Sequence, residues 1–191
     1  MKAATFATVK RTDHRAELKK AVDAFKKLEV LVGIPEGGKG DVRKGTPITN
    51  SQLGWIHEKG SPAANIPPRP FLVPGVMSKK KEITSGLKSA FQMALHGDAA
   101  GGEARLEALG LQVAASVKEY MTNADFEPLK PSSIENRHRN RGTKPRPEER
   151  RFIKRNGVKV PNPDFGKGVK PLIDTGALRN AIDSFVVKGK K

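Results

Sequence analysis

The chain has 191 residues, with 36 Lys and Arg against 20 Asp and Glu for a formal charge of +16, 36% apolar and 5% aromatic residues, 19 Gly, 14 Pro and no Cys. That length fits one domain with extensions, and the low apolar share leaves part of it irregular. The missing thiol excludes disulfides, thiolate metal sites, iron–sulfur clusters and cysteine nucleophiles, while so positive a charge requires an acidic partner, nucleic acid or neighbouring copies of the chain.

Leu18, Ala21, Val22 and Phe25 recur at helical spacing behind an Asp13 cap and predict an amphipathic helix over 14–27 with a basic outer face. Val30-Leu31-Val32-Gly33-Ile34 is continuously apolar. It predicts a strand covered on both faces, stopped by Pro35 and the Gly37–Gly40 loop. Residues 38–48 read as loop, after which Asn50 or Ser51 caps a short helix through Gln52–Glu58 that Gly60 closes. Five prolines between Ser61 and Pro74 predict an extended connector, because proline lacks the N–H that helix and central strand both need.

Ile83, Leu87, Ala90, Phe91 and Ala94 mark one face of a helix over 76–95. Leu106, Leu109, Val113, Val117, Tyr120 and Met121 mark another over 103–122, and the break at His96–Gly102 folds the two into an antiparallel hairpin. From Arg137 to Lys170 there are 12 Lys or Arg and 3 acids, a charge of +9 with few apolar residues. Such a segment predicts a disordered stretch, an extended arm that orders on a partner, or a nucleic-acid tail. Beyond it, Asp174 or Thr175 caps a short helix and Ser184–Val187 closes as a strand. The expected fold is α+β, with a small sheet from strands near 29–34 and 184–188 packed against the two long helices. Residues 1–136 and 171–191 form one domain, and 137–170 a basic arm or insertion.

Chemistry is sparse. Met1–Phe6 leads into no apolar core of a secretory signal, and no stretch reaches the roughly 18 apolar residues of a membrane span. A soluble, cytoplasmic product is expected, with no membrane contact. Gly33–Lys39 fits the phosphate loop G-x-x-x-x-G-K, yet Gly40 supplies no hydroxyl for magnesium and no helix follows, so a glycine loop is the better reading. His14, His57, His96 and His138 lack metal spacing. His57-Glu58 reads as a helix end rather than an acid–base pair, and Ser51, Ser132 and Ser133 lack nucleophile context. No enzyme, metal or cofactor is expected. The basic residues Arg137, Arg139, Arg141, Arg150, Arg151, Lys154 and Arg155 could neutralise phosphates, with thin aromatic support from Phe152 and Phe165. Trp55 is a core or interface anchor.

Two strings carry more than composition. Gln52 to Gly60 (QLGWIHEKG) runs on to Asn65–Leu72 (NIPPRPFL), and Pro171–Ile182 reads PLIDTGALRNAI. Together with the strand at Val30–Ile34 and the linker Pro128–Ile134 plus Arg137, their order and spacing resemble the tail-completion and virion-morphogenesis proteins of tailed bacteriophages, over about 28–187. Two departures stand out. Lys59 sits where that family usually has an aromatic, and 137–170 is longer than its compact linker. The resemblance implies a virion protein of the neck, a structural ring of six or twelve copies around the DNA channel. Its partners would be the head-side connector and the tail terminator or tail tube protein, with non-specific contact to genomic DNA. Trp55, Arg69, Phe71 and Leu72 are the candidate subunit contact, although Phe71 and Leu72 equally suit the domain's own core. The runner-up is a nucleic-acid-binding protein with a basic arm, with an enzyme third.

Overall fold

In the computed structural model, which describes residues 13–38, 40–43 and 45–189, the chain runs α1 (Arg15–Phe25), β1 (Leu28–Gly33), α2 (Asn50–Lys59), α3 (Leu72–Met77), α4 (Lys80–Leu95), α5 (Ala99–Asn123), α6 (Pro131–Arg141), β2 (Phe152–Arg155), β3 (Val158–Pro161), α7 (Ala177–Asn180) and β4 (Asp183–Lys188). Short 3-10 turns stand at Pro62–Ala64 and Pro147–Glu149. The amino-terminal string Met1–Phe6 and Lys39 of the phosphate-loop reading lie outside the described residues.

The architecture is α+β, with two separate two-stranded antiparallel sheets, β1 with β4 and β2 with β3. Helix α5 is the spine, 25 residues and so roughly 37 Å long at 1.5 Å per residue. Its apolar stripe of Leu106, Leu109, Val113, Val117 and Met121 is buried throughout. Small residues let neighbours close on it. A Cβ at Gly75 of α3 would stand 2.8 Å from the Val117 Cα, and one at Gly110 would stand 3.0 Å from Ser184 of β4. Helix α4 lies back along α5 with Ala90 and Ala94 buried, as the helical periodicity predicts. The main core gathers Phe71, Ala114, Val117, Met121, Leu172, Leu178 and Ile182.

Some expectations shift. The strand β1 is covered on one face only: Val30 and Val32 are half-buried, while Leu31 and the directly opposed Phe185 of β4 are exposed. Thr49, not Asn50 or Ser51, caps α2, through a reciprocal pair with Gln52 (3.3 and 3.2 Å). The proline connector ends sooner than expected, since Pro74 sits in the first turn of α3, where the missing N–H has no intrahelical partner to lose. Residues 137–170, expected as an extended arm, hold the end of α6, a 3-10 turn and the β2–β3 hairpin.

Candidate functional site

The family-like strings turn out to be tied to one another by charged side chains on backbone groups. Glu58, at the end of α2, accepts the N–H groups of Phe71 (2.7 Å), Leu72 (2.9 Å) and Val73 (3.2 Å). A carboxylate thus covers the orphan donors of α3. Gly60, at φ 76°, lets the chain leave α2 so tightly that a Cβ there would meet the Pro68 N at 2.9 Å. The Arg69 N–H then donates to the His57 carbonyl at 2.7 Å. The buried Arg69 guanidinium donates to the carbonyls of Glu127 (2.8 Å) and Pro128 (3.2 Å).

This corrects the proposed subunit contact. Phe71 is 2% exposed and belongs to the core, Leu72 packs half-buried against it, and Arg69 is buried with two of its donors bonded inside the chain. Trp55 alone of the four stands out, at 67% exposure. Lys59 holds its ammonium 5.5 Å from the Trp55 ring centroid and so stacks on the indole by cation–π attraction. Beside Trp55 lies a hollow of about 470 Å³ bounded by Glu36, Ile48, Ser51, Gln52 and Ile56.

A second set of ties explains why 137–170 folds. Arg137 is buried on α6 and donates to the carbonyls of Lys170 (2.8 Å), Pro171 (2.9 Å) and Ile173 (3.0 Å). One turn on, Arg141 makes a bidentate pair with Glu149 (2.8 and 2.5 Å) and a further bond to Asp174. Bidentate guanidinium–carboxylate pairs are the strong ones. The Arg141 hydrogen bonds hold the Glu149 carboxyl down at about 2, and Glu149 in turn accepts the Arg146 N–H at 2.9 Å. Two of the seven basic residues read as partner-contacting, Arg137 and Arg141, are therefore internal fasteners. Asp174 serves Arg141, and Thr175 supplies the cap-like bond to the Ala177 N–H at 3.2 Å.

The glycine loop is occupied by the chain's own anion. Asp41 is buried and accepts the N–H groups of Ser51 (2.7 Å) and Gly37 (2.8 Å), bonds that hold its carboxyl below the usual carboxylate range. A phosphate would have to displace it. His57 is pushed down to about 4 by burial, reinforced by the positive fields of Arg69, Arg43 and Arg137, and is neutral near pH 7. Among the described residues no three His, Asp or Glu side chains converge as a metal site, and no helix is long and apolar enough to cross a membrane.

What remains free is on the surface. Arg139, Arg150, Arg151, Lys154 and Arg155 are exposed, as is Lys159, which sequence reading passed over. Phe152, 44% exposed, has the Arg151 guanidinium 5.8 Å and the Lys159 ammonium 4.8 Å from its ring centroid. The signal for this hairpin was available in Asn156-Gly157, the commonest two-residue hairpin turn, between apolar-bearing segments. Asp41, a lone acid beside glycines, and Glu149, one of two adjacent acids amid cations, carried a weaker one. Comparison of the chain with protein-family models, curated proteins and solved structures returned no match.

Proposed function

We propose that this chain is a structural protein of a tailed-bacteriophage virion, seated in the neck between the head-side connector and the tail terminator or tail tube, where copies of it form a ring around the DNA channel. The observation that supports this reading is the stitching of the family-like strings. Glu58 joins the first half of the α2–α3 block to the second, Arg69 joins that block to the linker at 127–128, and Arg137 joins the linker to 170–173. Residues that carry the resemblance thus act together as one frame. Glu58, Arg69 and Arg137 are engaged with backbone, so on this reading the protein works by the surfaces the frame holds out. In a head-to-tail ring each copy presents two different patches, and exposed Trp55 beside its hollow suits the centre of one, since aromatics dominate interface energetics.

The test is electron microscopy of lysates from a phage or prophage carrying a nonsense codon early in this gene. DNA-filled heads and separate tails are the expected products, and Trp55→Ala should lower the joined fraction without unfolding the protein. Normal infectious particles in normal numbers would overturn the reading. The alternative, a nucleic-acid-binding protein acting outside any particle, draws on the exposed cations near β2 and β3. It would leave particles normal and the protein absent from them after washing.

A further inference from the structure

We propose that the outer face of the β2–β3 hairpin is a binding site for B-form duplex DNA, held through its phosphates. The hairpin turns on Asn156 and Gly157, at φ 49° and 80°, the mirror-image turn whose twist matches paired strands. Register pairs Phe152 with Pro161, Ile153 with Val160, Lys154 with Lys159 and Arg155 with Val158. Strand alternation then sets Phe152, Lys154, Lys159 and Pro161 on one face and Arg155, Val158, Ile153 and Val160 on the other. The first four are exposed and the last two half-buried.

The arrangement works against the free protein. Lys154 and Lys159 stand directly opposite each other, the position in which like charges destabilise a strand pair. From Arg150 to Pro161 the chain carries five cations and no acid. Among the described residues none of those cations forms an ion pair. Arg151 and Lys159 both lie over the Phe152 ring, which gathers charge further. An anion lying along the face turns each of these repulsions into attraction.

The mount is rigid. Asn162 donates its amide to the carbonyls of Pro147 (2.8 Å) and Arg150 (2.7 Å) and its N–H to that of Arg151 (2.9 Å). Next to it, Glu149 is locked by Arg141. The backbone that carries the cations is therefore held before any partner arrives, which lowers the ordering cost of binding.

Shape and composition select the partner. A two-stranded ribbon fits the major groove of B-DNA, about 12 Å wide, whereas the deep, narrow major groove of A-form RNA excludes it. One aromatic ring flanked by cations is not the row of stacking platforms that single strands use. Lysine is also depleted from the cores of protein–protein interfaces, and here two lysines occupy the centre of the face. The inference stands on the hairpin alone, independent of the neck reading, since a virion protein and a free one would pass or fail it alike.

The experiment is fluorescence anisotropy of the full chain with a labelled DNA duplex of roughly 20 base pairs, between about 50 and 200 mM salt. Each neutralised phosphate contributes about −0.9 to the slope of log affinity against log salt. The variant R151Q/K154Q/K159Q should flatten the slope by about 2.7, equivalent to roughly 40-fold of the affinity lost across that range. The milder K154Q/K159Q, which only relieves repulsion, should flatten it by about 1.8 and melt no lower than the parent. As a charge-matched control, K19Q/K20Q/K26Q removes exposed lysines on and just after α1 and should retain the parent's slope. Equal flattening by the control, an unchanged slope in both hairpin variants, or equal affinity for single strands or an RNA duplex would each overturn the proposal.

Discussion

The Glu58 carboxylate accepts the backbone N–H of Phe71 at 2.7 Å, thirteen residues further on, and the same side chain takes the next two N–H groups as well. A residue at the end of one helix thereby starts another, and Phe71 is fixed at the point where it enters the core.

Glu58→Ala should cost about 2 kcal/mol, because it removes a charged cap from three donors, two of them well aligned. In a chain of this length that lowers the melting temperature by about 4–8 °C. Glu58→Gln, which keeps an acceptor oxygen, should lose less than half as much. Thermal melts followed by circular dichroism separate the two, and equal losses would show that charge rather than geometry dominates.

Glu149 ties stability to acid. Its carboxyl is held at about 2 in the folded chain, below the ordinary glutamate value, so the stabilisation is complete above that ordinary value and is lost as pH falls toward about 2. Urea unfolding at pH 7 and at pH 3 should show the drop. Glu149→Gln should remove its share of that dependence and cost about 3 kcal/mol at pH 7, since Arg141 is left with Asp174 alone.

His57 acts in a different window. Burial depresses it to about 4, so the unfolded chain binds a proton that the folded chain refuses between the ordinary histidine value and that point. Stability is complete above the ordinary value and falls as pH drops through the interval. His57→Asn should flatten the unfolding curve in that window while leaving the Glu149 window untouched, which two-residue comparison by chemical denaturation can read directly.

The hairpin predicts opposite signs for stability and binding. Lys154→Glu converts a like-charge cross-strand pair into an opposite-charge one and should stabilise the free protein by about 0.5 kcal/mol, a rise of about 1–2 °C. The same change should weaken duplex DNA binding. A variant that loses stability instead would mean that Lys154 makes favourable contacts in the free chain.

Elements set by local periodicity were legible in the sequence. Helix α5 follows from Leu106, Leu109, Val113, Val117 and Met121, and β4 from Phe185-Val186-Val187, because burial repeats along each element. Expectations shifted where the deciding partner is distant. Arg137 looks like one cation in a basic run until the carbonyls of 170–173, more than thirty residues away, are brought to it. The apolar run of β1 reads as doubly covered, yet a sheet of two strands leaves Leu31 outside. In 137–170 the average composition obscured the Asn156-Gly157 turn, a local signal that a segment-wide charge count cannot register. For the candidate site the same division holds: the cations themselves were visible, but which are fasteners and which are free depends on Glu149, Asp174 and the carbonyls that meet them.

Arg69 and Arg137 grip carbonyl oxygens, and every amino acid brings the same carbonyl. Of the residues they hold, the exposed Glu127, Pro128 and Lys170 can change their side chains without loosening the grip, provided the backbone keeps its path, while Leu172 is bound by the core. Mutation can therefore restyle that exterior while the frame beneath is inherited intact, and a protein assembled this way can adapt to new neighbours faster than it can change its shape.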